Sequence, residues 1–124
     1  MPDFADPFVG NTPARKMTRE ELIRAIRLNV AAEQEATFLY TAHADATDHP
    51  LAKKVLLDIA DEEREHIGEL LELLEILTGN EDAMLADGRE EVREMAAELE
   101  ASVEAGSESS LVDGEVPTIG SLKE

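Results

Sequence analysis

The sequence predicts an all-α protein: an antiparallel two-helix hairpin plus a short C-terminal helix, with a four-helix bundle completed by dimerisation. Three observations lead there. Two runs of about 29 residues carry apolar side chains at alternating steps of three and four, the spacing of one helical face. Only the short break "DHP" separates them. Each run also carries ionisable residues in the middle of its apolar seam, which a single hairpin has no means of neutralising.

Residues 1–17 hold three prolines and no periodicity, and are expected to form an extended lead-in. The first helix opens at "TREE", a capping box in which Thr18 accepts from the Glu21 amide while the Glu21 carboxylate reaches back to the Thr18 amide. Its pattern runs to about Thr47. Pro50 disfavours helical geometry at His49 and has no amide to donate, yet suits the first turn of the second helix. That helix continues to about Thr78, where Gly79 supplies a left-handed cap. Each helix would span roughly 43 Å, and so short a connection makes the two antiparallel.

The third stretch, "NEDAMLADGREEVREMAAELEASVE", is expected to form one or two shorter segments hinged at Gly88, with Met84, Leu85, Val92, Met95 and Leu99 packing against the hairpin. From Gly106 the period gives way to Ser, Gly and acid, as in a mobile tail. The expected organisation is therefore a lead-in over 1–17, a helical domain over 18–105 and a tail over 106–124.

Composition narrows the chemistry. With 29 acidic against 11 basic residues the formal net charge is −18, which repels nucleic acid and anionic membranes and gathers cations. Cysteine is absent, so any metal would need oxygen and imidazole ligands. The first 16 residues lack the pattern of a secretory leader, and no run approaches the roughly 20 apolar residues of a membrane span. A soluble cytosolic protein is expected.

The seam carries the functional signal. Helical counting along the second helix gives Ala52, Leu56, Ile59, Glu63, His66, Leu70, Leu73 and Leu77; along the first it gives Leu22, Ile26, Asn29, Glu33, Ala36 and Tyr40. A lone glutamate or histidine at such a position is ordinarily a solvated flank or satisfied core residue. Here a Glu and a His at i, i+3 aim at one small volume, and Glu33 stands opposite Glu63 in hairpin register. Burying unpartnered carboxylates costs several kcal/mol each, and neither seam holds Lys or Arg. A cation is therefore implied.

One isolated Glu and one Glu-x-x-His make half of the carboxylate-bridged template of four-helix bundles, and two copies complete it. Four carboxylates then balance two divalent cations. Such a donor set suits iron or manganese better than structural zinc, although zinc also fits. Ferroxidase chemistry follows, with a non-catalytic metal buffer and an acidic helical adaptor as the alternatives.

The stretches "REELIRAIRLNVAAEQEATFLY" and "AKKVLLDIADEEREHIGELLELL" resemble the encapsulated ferritins, minimal ferritin-like proteins of two long helices, over roughly residues 18–105. The resemblance implies that Glu33, Glu63 and His66 are iron ligands shared across a dimer interface, with two irons per dimer. It places Tyr40 beside the site and Glu35 on the route by which metal arrives. Ala32 and Leu39 stand where other members carry a carboxylate and a tryptophan. It further implies a homodecamer of five dimers without a mineral cavity of its own. The C-terminal "TIGSLKE" resembles the peptide by which cargo docks inside an encapsulin shell: Thr118, Ile119, Gly120, Ser121 and Leu122 would be the targeting residues, tethered by the Ser/Gly-rich segment before them. The implied location is the cytoplasm, inside an encapsulin nanocompartment, with the shell protein as partner. His43 reads as an edge residue or a contact to an extra metal, His49 as a turn residue, and Glu62, Glu65, Glu69 and Glu72 as a solvated or inter-dimer acidic face. Met84 and Met95 read as packing.

Overall fold

The computed structural model describes residues 14–109, with side chains for residues 14–106. Helices α1 (Arg19–Ala46), α2 (Pro50–Thr78) and α3 (Glu81–Ser109) follow one another, and no strand occurs among the described residues. Their ends have chemical causes. Thr18 Oγ1 accepts from the Glu21 amide at 3.2 Å and Glu21 Oε1 accepts from the Thr18 amide at 2.8 Å, so the capping box forms. Arg15 clasps the same carboxylate with two bonds of 2.7 Å. That guanidinium, aided by the Thr18 amide, holds the Glu21 carboxyl down at about 2.

Thr47–His49 connect α1 to α2, and Pro50 takes the first helical position. His49 is more than a turn residue: its Nδ1 accepts from the Ala52 amide at 3.1 Å, which makes it the N-cap of α2. The far end of α2 closes on Gly79 at φ 77°, whose amide donates to the Glu75 carbonyl at 2.7 Å. Only glycine adopts that conformation without strain. The Glu75 side chain then accepts from the Asp82 amide at 2.7 Å, satisfying a free donor in the first turn of α3.

Helices α1 and α2 pack on each other. Close to the turn Glu33 meets His66, whereas Arg27, six residues further from the turn, meets Glu81; partners separate in sequence away from the connection, as in helices of opposite direction. The buried apolar residues are Ile26, Ala44, Ala60 and Leu74. This rotates the expected seam. Ala52, Leu56, Ile59, Leu70 and Leu77 are half-buried, and Leu73 and Asn29 are exposed. Two helices touch along one line, so an apolar stripe wider than 100° leaves its flank open for a further helix.

A second fixing point was not legible in the pattern. Arg27 donates to both carboxylate oxygens of Glu81 at 3.0 and 2.8 Å. Glu81 is the buried charged residue among the described residues. The guanidinium hydrogen bonds hold its carboxyl below the usual range, and Glu81 in turn raises Arg27.

The first compact unit ends at Asp82 and the second begins at Ala83. Helix α3 corrects the sequence reading. It is 29 residues, as long as α2, and runs unbroken through Gly88 and Gly106. One glycine costs about 1 kcal/mol relative to alanine, too little to break a run rich in Ala, Glu and Arg. Met84, Val92, Met95 and Leu99, expected to pack, are exposed, and Leu85 is half-buried. No second described helix lies within the same unit to cover them.

Candidate metal centre

Helix periodicity builds the centre. Glu63 and His66 lie three residues apart on α2 and so share a face, and the α1–α2 register sets Glu33 across from them. One donor atom from each of the three lies within 4.8 Å of the others. His66 Nδ1 is 3.5 Å from Glu63 Oε2 and 3.7 Å from Glu33 Oε2. Both separations exceed those of a good N–H···O hydrogen bond. They are near the roughly 3 to 4 Å that a shared cation imposes on ligands bonded at about 2.1 Å.

Electrostatics argue the same way. The Glu63 and Glu33 side chains are only 17% and 25% exposed, yet among the described residues neither pairs with Lys or Arg. The donor set is two oxygen anions and one imidazole, which fits a divalent transition metal. His66 is 45% exposed, so the centre opens at the flank of the helix pair rather than in its middle. Ile59 and Leu70, about one turn to either side of Glu63 and His66 on α2, are half-buried, as is Leu77 two turns further along the helix.

The other expected residues sit as follows. Tyr40 is half-buried two turns beyond Glu33 on the same side of α1. Glu35 is exposed and outside the three-residue group; two residues past Glu33, it leaves another face of α1. His43 is exposed, as are Glu62, Glu65, Glu69 and Glu72, which fits a solvated acidic face. The residues from Thr118 to Leu122 lie outside the described residues. Sequence reasoning missed Arg27 and Glu81, because a contact spanning 54 residues between two exposed-looking charges leaves no local signature.

Comparison with known proteins places this geometry in a family. Residues 24–115 match the rubrerythrin family. Over 88 residues the chain is 46% identical to the encapsulin nanocompartment cargo protein EncC of Myxococcus xanthus, covering 71% of this chain and 67% of the relative. The chain belongs to the encapsulated ferritins of the rubrerythrin family. A solved structure, the encapsulated ferritin domain from Pyrococcus furiosus, superposes with a TM-score of 0.67 at 34% identity, covering 73% of this chain and 92% of that one. The ferritin-like–encapsulin shell fusion protein of Pyrococcus furiosus is 40% identical over 78 residues, 63% of this chain but only 23% of the fusion. Members of this family are typically redox-active iron proteins. Among the described residues of this encapsulated ferritin, no helix is long and apolar enough to cross a membrane.

Proposed function

We infer that this encapsulated ferritin is a ferroxidase, oxidising Fe2+ to Fe3+ with dioxygen at a diiron site shared across a homodimer. The observation that carries the reading is the convergence of Glu33, Glu63 and His66 within 4.8 Å on an open flank. Fe2+ is the substrate. Each ion gives up one electron, so four Fe2+, two fillings of a two-iron site, reduce one dioxygen with four protons to two waters. The two carboxylates favour the product, because their attraction to a cation grows with its charge. The His66 imidazole supplies the remaining donor and sits at the exposed edge through which iron arrives.

One chain offers two carboxylates, which balance one Fe2+. A second copy laid on the same flank brings Glu33, Glu63 and His66 again, giving two irons per dimer and the full four-helix template. The half-buried Ile59, Leu70 and Leu77 support that contact, since pairing removes them from water. Tyr40 acts as the neighbour that protects or relays electrons from the site, and Glu35 guides arriving cations. The helical domain runs from the Thr18 cap into α3, and residues beyond it serve as a tether. Since the Myxococcus relative is named as encapsulin cargo, Thr118, Ile119, Gly120, Ser121 and Leu122 are assigned to docking on a shell wall, with mineral stored inside that cytoplasmic compartment. Five such dimers forming a decamer complete the reading.

An anaerobic Fe2+ titration followed by oxygen tests it. Saturation at one iron per chain on a dimer-based species, then repeated oxidation with oxygen uptake, is the expected result. Tight binding without turnover would make the protein an iron buffer, and no stoichiometric binding would reduce it to an acidic adaptor.

A further inference from the structure

The three residues of the centre are not held equally. Glu63 and His66 stand on one helix, so its period alone fixes their relation. Glu33 comes from α1, and its reach to His66 Nδ1, 3.7 Å against 3.5 Å for Glu63, depends on the course of α1 at that turn. Ligands work only when held within about 0.5 Å of their productive positions, so that course has to be fixed.

Among the described residues Thr18 caps α1, Thr47 follows its end and Thr78 is the last residue of α2; only Thr37 and Thr41 stand inside a helix. Threonine is a poor helix former there, because its branched side chain is confined and its oxygen competes for the backbone. Both are half-buried. Thr37 follows Glu33 by four residues, and its Oγ1 donates to the Glu33 carbonyl at 2.9 Å. Thr41 makes the same contact one turn on, donating to the carbonyls of Thr37 at 2.9 Å and Phe38 at 3.0 Å, neither of which belongs to the centre. A hydroxyl that shares a carbonyl with the helix's own amide turns that carbonyl outward and bends the helix at that point. The bond also locks the Thr37 side chain over the turn that carries Glu33.

We propose that Thr37 is a positioning residue of the metal centre: its bond to the Glu33 carbonyl sets the course of α1 that aims the Glu33 carboxylate at Glu63 and His66. It acts through the backbone of the ligand residue rather than through the carboxylate. The ligand that crosses from the other helix is thus the one whose main chain is braced.

The inference rests on the reading of Glu33, Glu63 and His66 as iron ligands, and the test separates the two. Anaerobic titrations of the full chain with Fe2+ and with Co2+ are recorded beside the visible absorption of bound Co2+, which reports ligand geometry, and the far-UV circular dichroism of the apo protein. Wild type is expected to bind one ion of either metal per chain. Thr37→Val keeps the shape and removes the hydroxyl; it is expected to weaken both metals about tenfold and to shift the Co2+ band, with helicity unchanged. Thr37→Ala should do the same although alanine is the better helix former, and Thr37→Ser should restore affinity and band. Thr41→Val removes the same kind of bond one turn further from the ligand and should leave both at wild-type values. A Thr37→Val protein with wild-type affinity and band overturns the proposal, as does an equal loss in Thr41→Val, since the hydroxyl bonds would then serve the helix alone. A wild type without stoichiometric binding would instead remove the ligand reading, and the role of Thr37 with it.

Discussion

Glu63 and His66 stand one helical turn apart, and their chemistry depends on being too buried to ignore and too open to be core. Replacing Glu33, Glu63 or His66 by Ala should cut the initial rate of iron-dependent oxygen uptake about a hundredfold or more, beyond the usual loss from an outer-shell change. Circular dichroism should stay unchanged, because none of the three fills the buried line of Ile26, Ala44, Ala60 and Leu74. Glu21 makes a separate residue-level prediction. Its folded carboxyl lies at about 2 against an ordinary 4.5, held there first by Arg15. A lowered folded value means stability that is full above the unfolded value and is lost as pH falls through the folded one. Acid titration of the apo protein should therefore show helix loss between about pH 4.5 and 2, and Arg15→Ala should move its onset upward.

At the scale of elements, caps and one long-range pair hold the three helices in place. His49→Ala removes the acceptor of the Ala52 amide and should cost about 1 kcal/mol in urea unfolding. Arg27→Ala leaves the buried Glu81 carboxylate without its guanidinium and should destabilise the fold by about 1 kcal/mol where α1 meets the first residue of α3, Arg27 itself being half exposed. Both costs should be independent of iron when measured on the apo protein. Residues 18 to 21 and 78 to 80 could be assigned from sequence because capping is local: the donor, the acceptor and the conformation all lie within four residues. The unbroken course of α3 was harder to foresee, since Gly88 signals a hinge wherever flanking propensity is weak and does nothing where it is strong.

For the whole molecule, chemistry and packaging should separate. Deleting residues 116–124 is expected to leave the oxidation rate unchanged and to abolish copurification with a coexpressed shell; a truncated protein that still enters shells would refute the docking role of the tail. The acidic balance acts at this scale too, because a net charge of −18 draws Fe2+ toward every face and should make the oxidation rate fall as ionic strength rises. Of the candidate centre, Glu33, Glu63 and His66 were legible because helical periodicity and the short connection set both face and register. Glu35 and Tyr40 rested on resemblance, and only their positions on α1 follow from the fold.

Taken alone, the sequence determined the two long helices, the caps at Thr18 and Gly79, the absence of thiolate ligands and the one Glu opposite a Glu-x-x-His. All of these depend on interactions within a few residues or on a count of turns. The tertiary structure decided the rest: that the most buried line runs through Ile26, Ala44, Ala60 and Leu74, that the seam carrying Glu33, Glu63 and His66 is therefore an open flank, and that Arg27 meets Glu81 across 54 residues. Helix rotation is set by which side chains interlock when two surfaces meet, and neither helix encodes that choice in its own period.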